Sequence, residues 1–226
     1  FGQYVYATDE ASLYVHLYVA GEAEAEVGGV PVHLTQATRY PWEGTVDLTL
    51  RPASPAHWTL ALRIPGWARE ARLAVNGEPV DPAAVLDRGY ARLTRVWHHG
   101  DRVRLELLMP VERIQAHPRL RADAGRVAVQ RGPIVYCLEE VDNGPNLAAL
   151  MLPRAGRLRP EWRPDLLGGV VVITAEGRRR RDGPSNELYR PVGDGDDAEA
   201  VPLTFVPYAT WANRQPGEML VWVGEA

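Results

Sequence analysis

Residues 59–80 read TLALRIPGWAREARLAVNGEPV, and this stretch decides the fold. Leu60, Leu62 and Ile64 alternate with Ala61 and Arg63, Pro65-Gly66 interrupts, and Leu73 and Val75 take up the alternation again before Asn76-Gly77. A period of two is the pattern of strands with one wet face. Asn-Gly supplies the two positive φ angles of a type I′ turn, so the chain is expected to reverse at 76–77 as an antiparallel hairpin. The aliphatic rows of both strands then need a second sheet to cover them, which makes the unit a sandwich.

The same reading extends in both directions. Upstream, Leu13, Val15, Leu17 and Val19 alternate with Ser12, Tyr14, His16 and Tyr18, which puts the tyrosines and His16 on the face away from the aliphatic core. Glu22–Val27, Gly28-Gly29 and Val30–Gln36 form a strand, turn, strand pattern, and Val46, Leu48 and Leu50 mark the next strand. Downstream, 81–88 is a short connection with room for one helical turn. Strands follow at Tyr90–Trp97 and Arg102–Leu107, joined by His98-His99-Gly100-Asp101. This supplies enough strands for a complete sandwich by residue 108, with a boundary near Met109-Pro110.

The second half is less regular. Val111–Ala116, Arg126–Gln130 and Ile134–Glu139 read as strands, with a bend at Gly132-Pro133. Strands at Leu158–Trp162 and Gly168–Ala175 and a final one at Met219–Val223 complete the pattern. Arg178–Arg181 reads as a solvated basic turn. The fold class expected is therefore all-β, with two antiparallel β-sandwich domains.

Composition narrows the function. The 226 residues are long enough for two cores of about 100 residues each, and their 19 prolines and 21 glycines favour strands and turns. A net charge of −4 gives no electrostatic footprint for nucleic acid. No apolar run approaches the ~20 residues of a membrane span, and the single cysteine, Cys137, fits a cytoplasmic, reducing setting. The chain starts at Phe1 without a Met and runs straight into a strand pattern, which reads as a piece of a longer protein.

Few residues suggest chemistry. Adjacent His98 and His99 point apart on a turn or strand and make a poor metal pair. Cys137 lies among Ile, Val, Tyr and Leu, the surroundings of an inert buried thiol. Gly193-Asp194-Gly195-Asp196-Asp197 lacks the spaced ligands of a calcium loop. Aromatic residues remain: Tyr40 and Trp42 flank Pro41 and are expected to plug the end of the sandwich, with a sugar-stacking platform as the alternative, and Tyr208 and Trp211 crowd with Asn213, Arg214 and Glu218 before the last strand. Such a segment can pack against other parts of a protein or line a ligand groove.

Five passages carry a resemblance: TRYPWEG at 38–44, LRIPGWA with VNGE at 62–78, RVWHHGDRVRLEL at 95–107, VAVQRGPIVYCLE at 127–139 and PYATWANRQPGEMLVWV at 207–223. Together they resemble the C-terminal β-sandwich region of glycoside hydrolase family 127, the β-L-arabinofuranosidase family. The resemblance implies two sandwiches that follow a catalytic (α/α)6 barrel in the parent. It also implies that the last strand, in 214–226, returns to the first sandwich at 1–108, making the second sandwich, 109–213, an insertion. Family members are retaining glycosidases with a cysteine nucleophile in a zinc site of one Glu and three Cys. Those residues lie in the barrel, so no catalytic, cofactor-binding or metal-binding residue is carried onto this chain. What the resemblance implies is a non-catalytic accessory region whose partners are the upstream barrel and a second copy in a homodimer. A carbohydrate-binding module or a structural interaction domain are the alternatives. Trp42, Trp67, Tyr208, Trp211, Asn213, Arg214 and Glu218 are the candidates for contact with the barrel or with sugar.

Overall fold

The computed structural model describes residues 2–181, 189 and 198–226, so the acidic run 193–197 lies outside the described residues. The chain divides into two compact units, Phe1–Met109 and Pro110–Ala226.

The first unit is a two-sheet sandwich. One sheet has five strands in the order Tyr6–Thr8, Ser12–Val15, Ala56–Arg63, Tyr90–Trp97, Leu86–Asp87. The other has six in the order Gly21–Val27, Val30–Thr38, Thr45–Pro52, Asp101–Leu107, Ala71–Val75, Glu78–Val80. Alternation dictates which side chains face inward. In Thr45–Pro52 every second residue is buried, placing Val46, Leu48 and Leu50 in the core. Register extends these rows across the sheet: Val46 faces Leu105, which faces Leu73, while Leu48 faces Val103, which faces Val75. The opposite sheet contributes the rows Leu13, Leu60, Leu93 and Val15, Leu62, Ala91. Each fully buried leucine contributes roughly 1.5–3 kcal/mol, and those rows hold the two sheets together. The strands on either side of Pro65-Gly66 thus end in different sheets, each covering the other.

Asn76 and Gly77 adopt φ of 52° and 86°, and the reversal pairs Leu73 with Val80 and Val75 with Glu78. Asn76 also donates through Nδ2 to Asp101 Oδ1 at 2.8 Å and accepts the Arg102 N–H at 2.8 Å, tying this turn to the start of the strand Asp101–Leu107. The short connection contains the helical turn Pro82–Val85, capped by the Asp81 side chain on the Ala83 N–H.

Several inward and outward assignments differ from the alternation. Tyr18 is buried, not on the outer face, and Val19 is 44% exposed. The strand ends at Val15, so the period of two does not continue to residue 18. The Tyr18 hydroxyl donates to the Arg63 carbonyl, which satisfies the polar atom that burial would otherwise strand. Ala61, expected on a wet face, is also fully buried. It sits between its register partners Tyr14 and Arg92, whose larger side chains meet across it through a hydrogen bond of 3.2 Å.

The second unit is one continuous mixed sheet. Arg126–Arg131 and Ile134–Glu139 form a hairpin near Gly132, with Arg131 opposite Ile134. Beyond Val129 and Tyr136 the two strands separate. Met219–Leu220 pairs along Ile134–Glu139, and Val223–Glu225 pairs along Arg126–Arg131. Val223–Glu225 continues, in parallel, to Leu150–Leu152, which leads through Val170–Arg180 and Ala198–Pro207 back to Ile134–Glu139. The hydrogen bonding thus runs in a ring within one sheet. Val111–Gln115 and Arg159–Arg163 add at its margins.

This corrects the expected return of the last strand to the first sandwich: residues 219–225 pair within the second unit. The physical reason is the fork between 126–131 and 134–139, whose unpaired backbone groups these residues satisfy. Nor is Arg178–Arg181 a turn. Arg178, Arg179 and Arg180 continue the strand Val170–Arg180 against Ala198–Ala200, and Arg179 donates to the Asn143 and Pro145 carbonyls.

Candidate functional site

The aromatic candidates of the first unit are parts of its core margin. Tyr40 lies edge-on to Tyr18 with ring centroids 5.9 Å apart and near-parallel to Trp67 at 6.5 Å. Tyr40 and Trp67 pack against the sandwich core, and burial pushes the phenol pKa of Tyr40 upward. Trp42 is half-buried, in a turn closed by its N–H on the Arg39 carbonyl at 2.9 Å. All three rings are partly buried, and two of them, Tyr40 and Trp67, lie against the sandwich core.

The C-terminal segment of the second unit is different. Tyr208–Thr210 is a 3-10 turn, with the Trp211 N–H on the Tyr208 carbonyl at 3.1 Å. Side chains three apart eclipse on such a turn, and here that brings the Tyr208 and Trp211 rings within 6.2 Å at an interplanar angle of 14°. They are 47% and 41% exposed. Thr210 Oγ1 donates to the Pro207 carbonyl at 2.7 Å, and Asn213 Nδ2 donates to the Thr210 and Trp211 carbonyls at 3.1 and 3.2 Å.

Arg214 and Glu218 anchor this segment from below. Arg214 makes a bidentate pair with Asp142, at 2.7 Å from Nη1 and 2.5 Å from Nη2, and Nη2 also reaches Glu139. The other Glu139 oxygen accepts the Ala212 N–H at 3.1 Å. Glu218 accepts the Leu147 N–H at 2.7 Å, while its own N–H donates to Glu140 Oε2 at 2.9 Å. Asn143 completes the base, donating to the Glu139 and Thr204 carbonyls and accepting the Thr204 N–H. The structure therefore brings Tyr208, Trp211, Asn213, Arg214 and Glu218 together, with the two rings outward and the charged groups committed to holding the loop.

Glu139, Asp142 and Asn143 were not singled out in the sequence. The one available signal was the acidic run Glu139-Glu140-Val141-Asp142 balanced by Arg214, the one charged residue in 200–217. A four-residue helix, Glu140–Asn143, is too short to show a period.

Cys137 is fully buried, and burial, with the Glu139 carboxylate nearby, pushes its thiol pKa up to about 12. A zinc-thiolate centre of three Cys and one Glu does not fit these residues. The chain has one cysteine, held as the neutral thiol, and the adjacent Glu139 spends its oxygens on Arg214 and Ala212. Among the described residues no three His, Cys, Asp or Glu side chains gather as metal ligands. Nor, among the described residues, is any helix long and apolar enough to cross a membrane.

Comparison with known proteins assigns both units. The family model for the beta-L-arabinofuranosidase, GH127 middle domain matches residues 12–109, and that for the glycoside hydrolase family 127 C-terminal domain matches residues 111–224. A non-reducing end beta-L-arabinofuranosidase of Bifidobacterium longum subsp. longum is 36% identical over 97% of this chain, which spans 34% of that protein. The crystal structure of a GH127 beta-L-arabinofuranosidase from Geobacillus stearothermophilus T6 is 53% identical and superposes with a TM-score of 0.95 over 100% of this chain and 35% of its own. A second solved GH127 beta-arabinofuranosidase gives 33% identity and a TM-score of 0.88 over 98% of this chain and 36% of its own. The chain belongs to glycoside hydrolase family 127. It spans about a third of the length of these relatives.

Proposed function

We propose that this chain is the non-catalytic accessory region of a β-L-arabinofuranosidase-like retaining hydrolase, and that it supports an (α/α)6 catalytic barrel upstream of it in a cytoplasmic parent. The observation that carries the reading is coverage: two domain models fill the chain almost end to end, while the relatives are about three times as long. The residues agree with it. A retaining mechanism needs an activated nucleophile beside an acid/base group, and the only thiol here is buried and protonated. The zinc of the family belongs, on this reading, to the barrel.

Two preparations test it. The purified chain, incubated with zinc, a reductant and a chromogenic β-L-arabinofuranoside, is expected to release no chromophore. The upstream barrel, produced with and without this chain, is expected to be recovered folded and active only with it. Zinc-dependent turnover by the chain alone, or a barrel equally stable without it, overturns the proposal.

A further inference from the structure

The chain contains two Asn-Gly pairs, Asn76-Gly77 and Asn143-Gly144. Asparagine is a thermolabile side chain, and a following glycine makes it more so, because no Cβ shields the backbone nitrogen that attacks it. In that reaction the glycine nitrogen gives up its proton and bonds to the asparagine Cγ. The Cγ–Nδ2 bond breaks, and Nδ2 leaves as ammonia with the proton. Water then opens the cyclic imide to aspartate or isoaspartate. The two pairs meet this chemistry in different surroundings. Asn143 is buried, its Nδ2 donates to the Glu139 and Thr204 carbonyls at 2.9 and 3.0 Å, and its Oδ1 accepts the Thr204 N–H at 2.9 Å.

Asn76 is exposed, and a Cβ placed on Gly77 would meet nothing within 4 Å, so packing does not guard this turn. Hydrogen bonds do. The Asn76 carboxamide is held at both ends, Nδ2 on Asp101 Oδ1 and Oδ1 on the Arg102 N–H, each at 2.8 Å, and the Asn76 N–H donates to the Arg102 carbonyl at 2.8 Å. The backbone adds a second restraint. Both turn residues have positive φ, 52° and 86°, and in a type I′ turn the nitrogen after the asparagine lies nearly anti to its Cβ, where Cγ cannot reach it. Ring closure needs the two nearly eclipsed, so the turn must open and both side-chain bonds must break first. We infer that Asn76 is a latent modification site, a deamidating asparagine latched by Asp101 and Arg102 and converted only when the hairpin opens. Conversion runs one way. Either product sets a second carboxylate beside Asp101, and isoaspartate also lengthens a two-residue turn by one backbone methylene. The pairing of Leu73 with Val80 and of Val75 with Glu78 then loses the turn that sets its register.

The latch is made of the first unit's own atoms, so it holds whatever lies against the turn and is independent of the barrel-supporting role. The test uses the full chain in mildly alkaline buffer, kept native or unfolded in urea, with peptide mapping by mass spectrometry to follow asparagine, aspartate and isoaspartate at positions 76 and 143. Both sites are expected to convert in urea. In the native chain Asn76 should convert at least about a hundredfold more slowly, about tenfold for each of the two side-chain hydrogen bonds that must break. Asp101→Ala removes one of them, and should speed native conversion at Asn76 about tenfold while leaving Asn143 unchanged. Val15→Ala, a core truncation in the opposite sheet, destabilises the same unit without touching the turn, and should leave Asn76 within a few-fold of the parent chain. Conversion of native Asn76 as fast as in urea overturns the inference, and that comparison requires no variant. So does an unchanged rate in Asp101→Ala, or an equal acceleration in Val15→Ala.

Discussion

The guanidinium of Arg214 reaches back 75 residues to the carboxylate of Glu139, and this pair, 18% and 5% exposed at the side chain, fixes the segment that carries the exposed rings. A buried ion pair is weak evidence of stability in itself, but removing one partner leaves the other charge uncompensated. Arg214→Met should therefore destabilise the second unit by about 3 kcal/mol, because Glu139 and Asp142 would then face each other without a cation. Urea unfolding of the two chains side by side measures the difference. The double substitution Arg214→Met/Glu139→Gln should recover part of the loss.

The tryptophan pair at the centre of the first unit gives a second prediction. Trp58 and Trp97 are both almost fully buried, their ring centroids are 5.5 Å apart, and Trp97 Nε1 donates to the Trp58 carbonyl at 3.1 Å. Trp97→Ala removes the ring and strands that carbonyl, at a cost of about 3–5 kcal/mol. Near-UV circular dichroism should show the loss in the folded state, and thermal unfolding should show the first unit melting well before the second.

Gly44 is constrained by close approach. A Cβ built on it would lie 1.8 Å from the Leu107 carbonyl oxygen, and the Leu107 N–H bonds the Gly44 carbonyl at 2.9 Å. Both groups are backbone, so neither can move without opening the strands. Gly44→Ala should cost about 3 kcal/mol or more, and should be recovered mainly in the insoluble fraction, whereas Gly66→Ala, with open space around it, should leave solubility unchanged.

The turn at Asn76 predicts a response to acid. Burial opposes ionisation of Asp101, yet the His98 N–H, the Asn76 side chain and nearby Arg95 hold its carboxyl below the usual carboxylate range. A depressed native pKa contributes stability above the unfolded value of about 3.9, and that contribution is lost as pH falls through the native value. Asp101→Asn should therefore unfold more readily than the parent chain at pH 7, and the gap should close below about pH 4. A gap independent of pH would contradict the assignment.

Cys137 gives the opposite sign. Its thiol is held neutral by burial, with a pKa up to about 12, while an unfolded cysteine ionises near 8.5. The unfolded chain therefore gains by releasing the proton as pH rises from about 8.5, and stability should fall over that window. In the native state the thiol should resist an aromatic disulfide reagent at pH 8, and should react within minutes once urea unfolds the chain.

Much of the architecture was legible because side-chain alternation is local. Val46, Leu48 and Leu50 could be placed in a core from their spacing alone, and Asn76-Gly77 announced its turn. Tyr18 was misplaced because the strand ends at Val15, and nothing in the residues marks where a period stops. The pairings of Val223 with Val127 and of Leu220 with Leu138 were unreadable for another reason. Strands of two or three residues carry no period, and their partners lie far away in sequence. At the candidate site, the aromatic residues could be named from composition, but their exposure could not. Only the geometry shows that Trp67 packs against a core while Trp211 looks outward, and that Arg214 is a fastening for the loop.

The wedge formed by residues 219–225 has a consequence for biogenesis. Strands 126–131 and 134–139 are synthesised long before the residues that fill the fork between them. Until those residues leave the ribosome, the nascent second unit exposes adhesive main-chain edges to any passing polypeptide. A chain that lacked residues 219–225 would leave that fork open and would need chaperone protection.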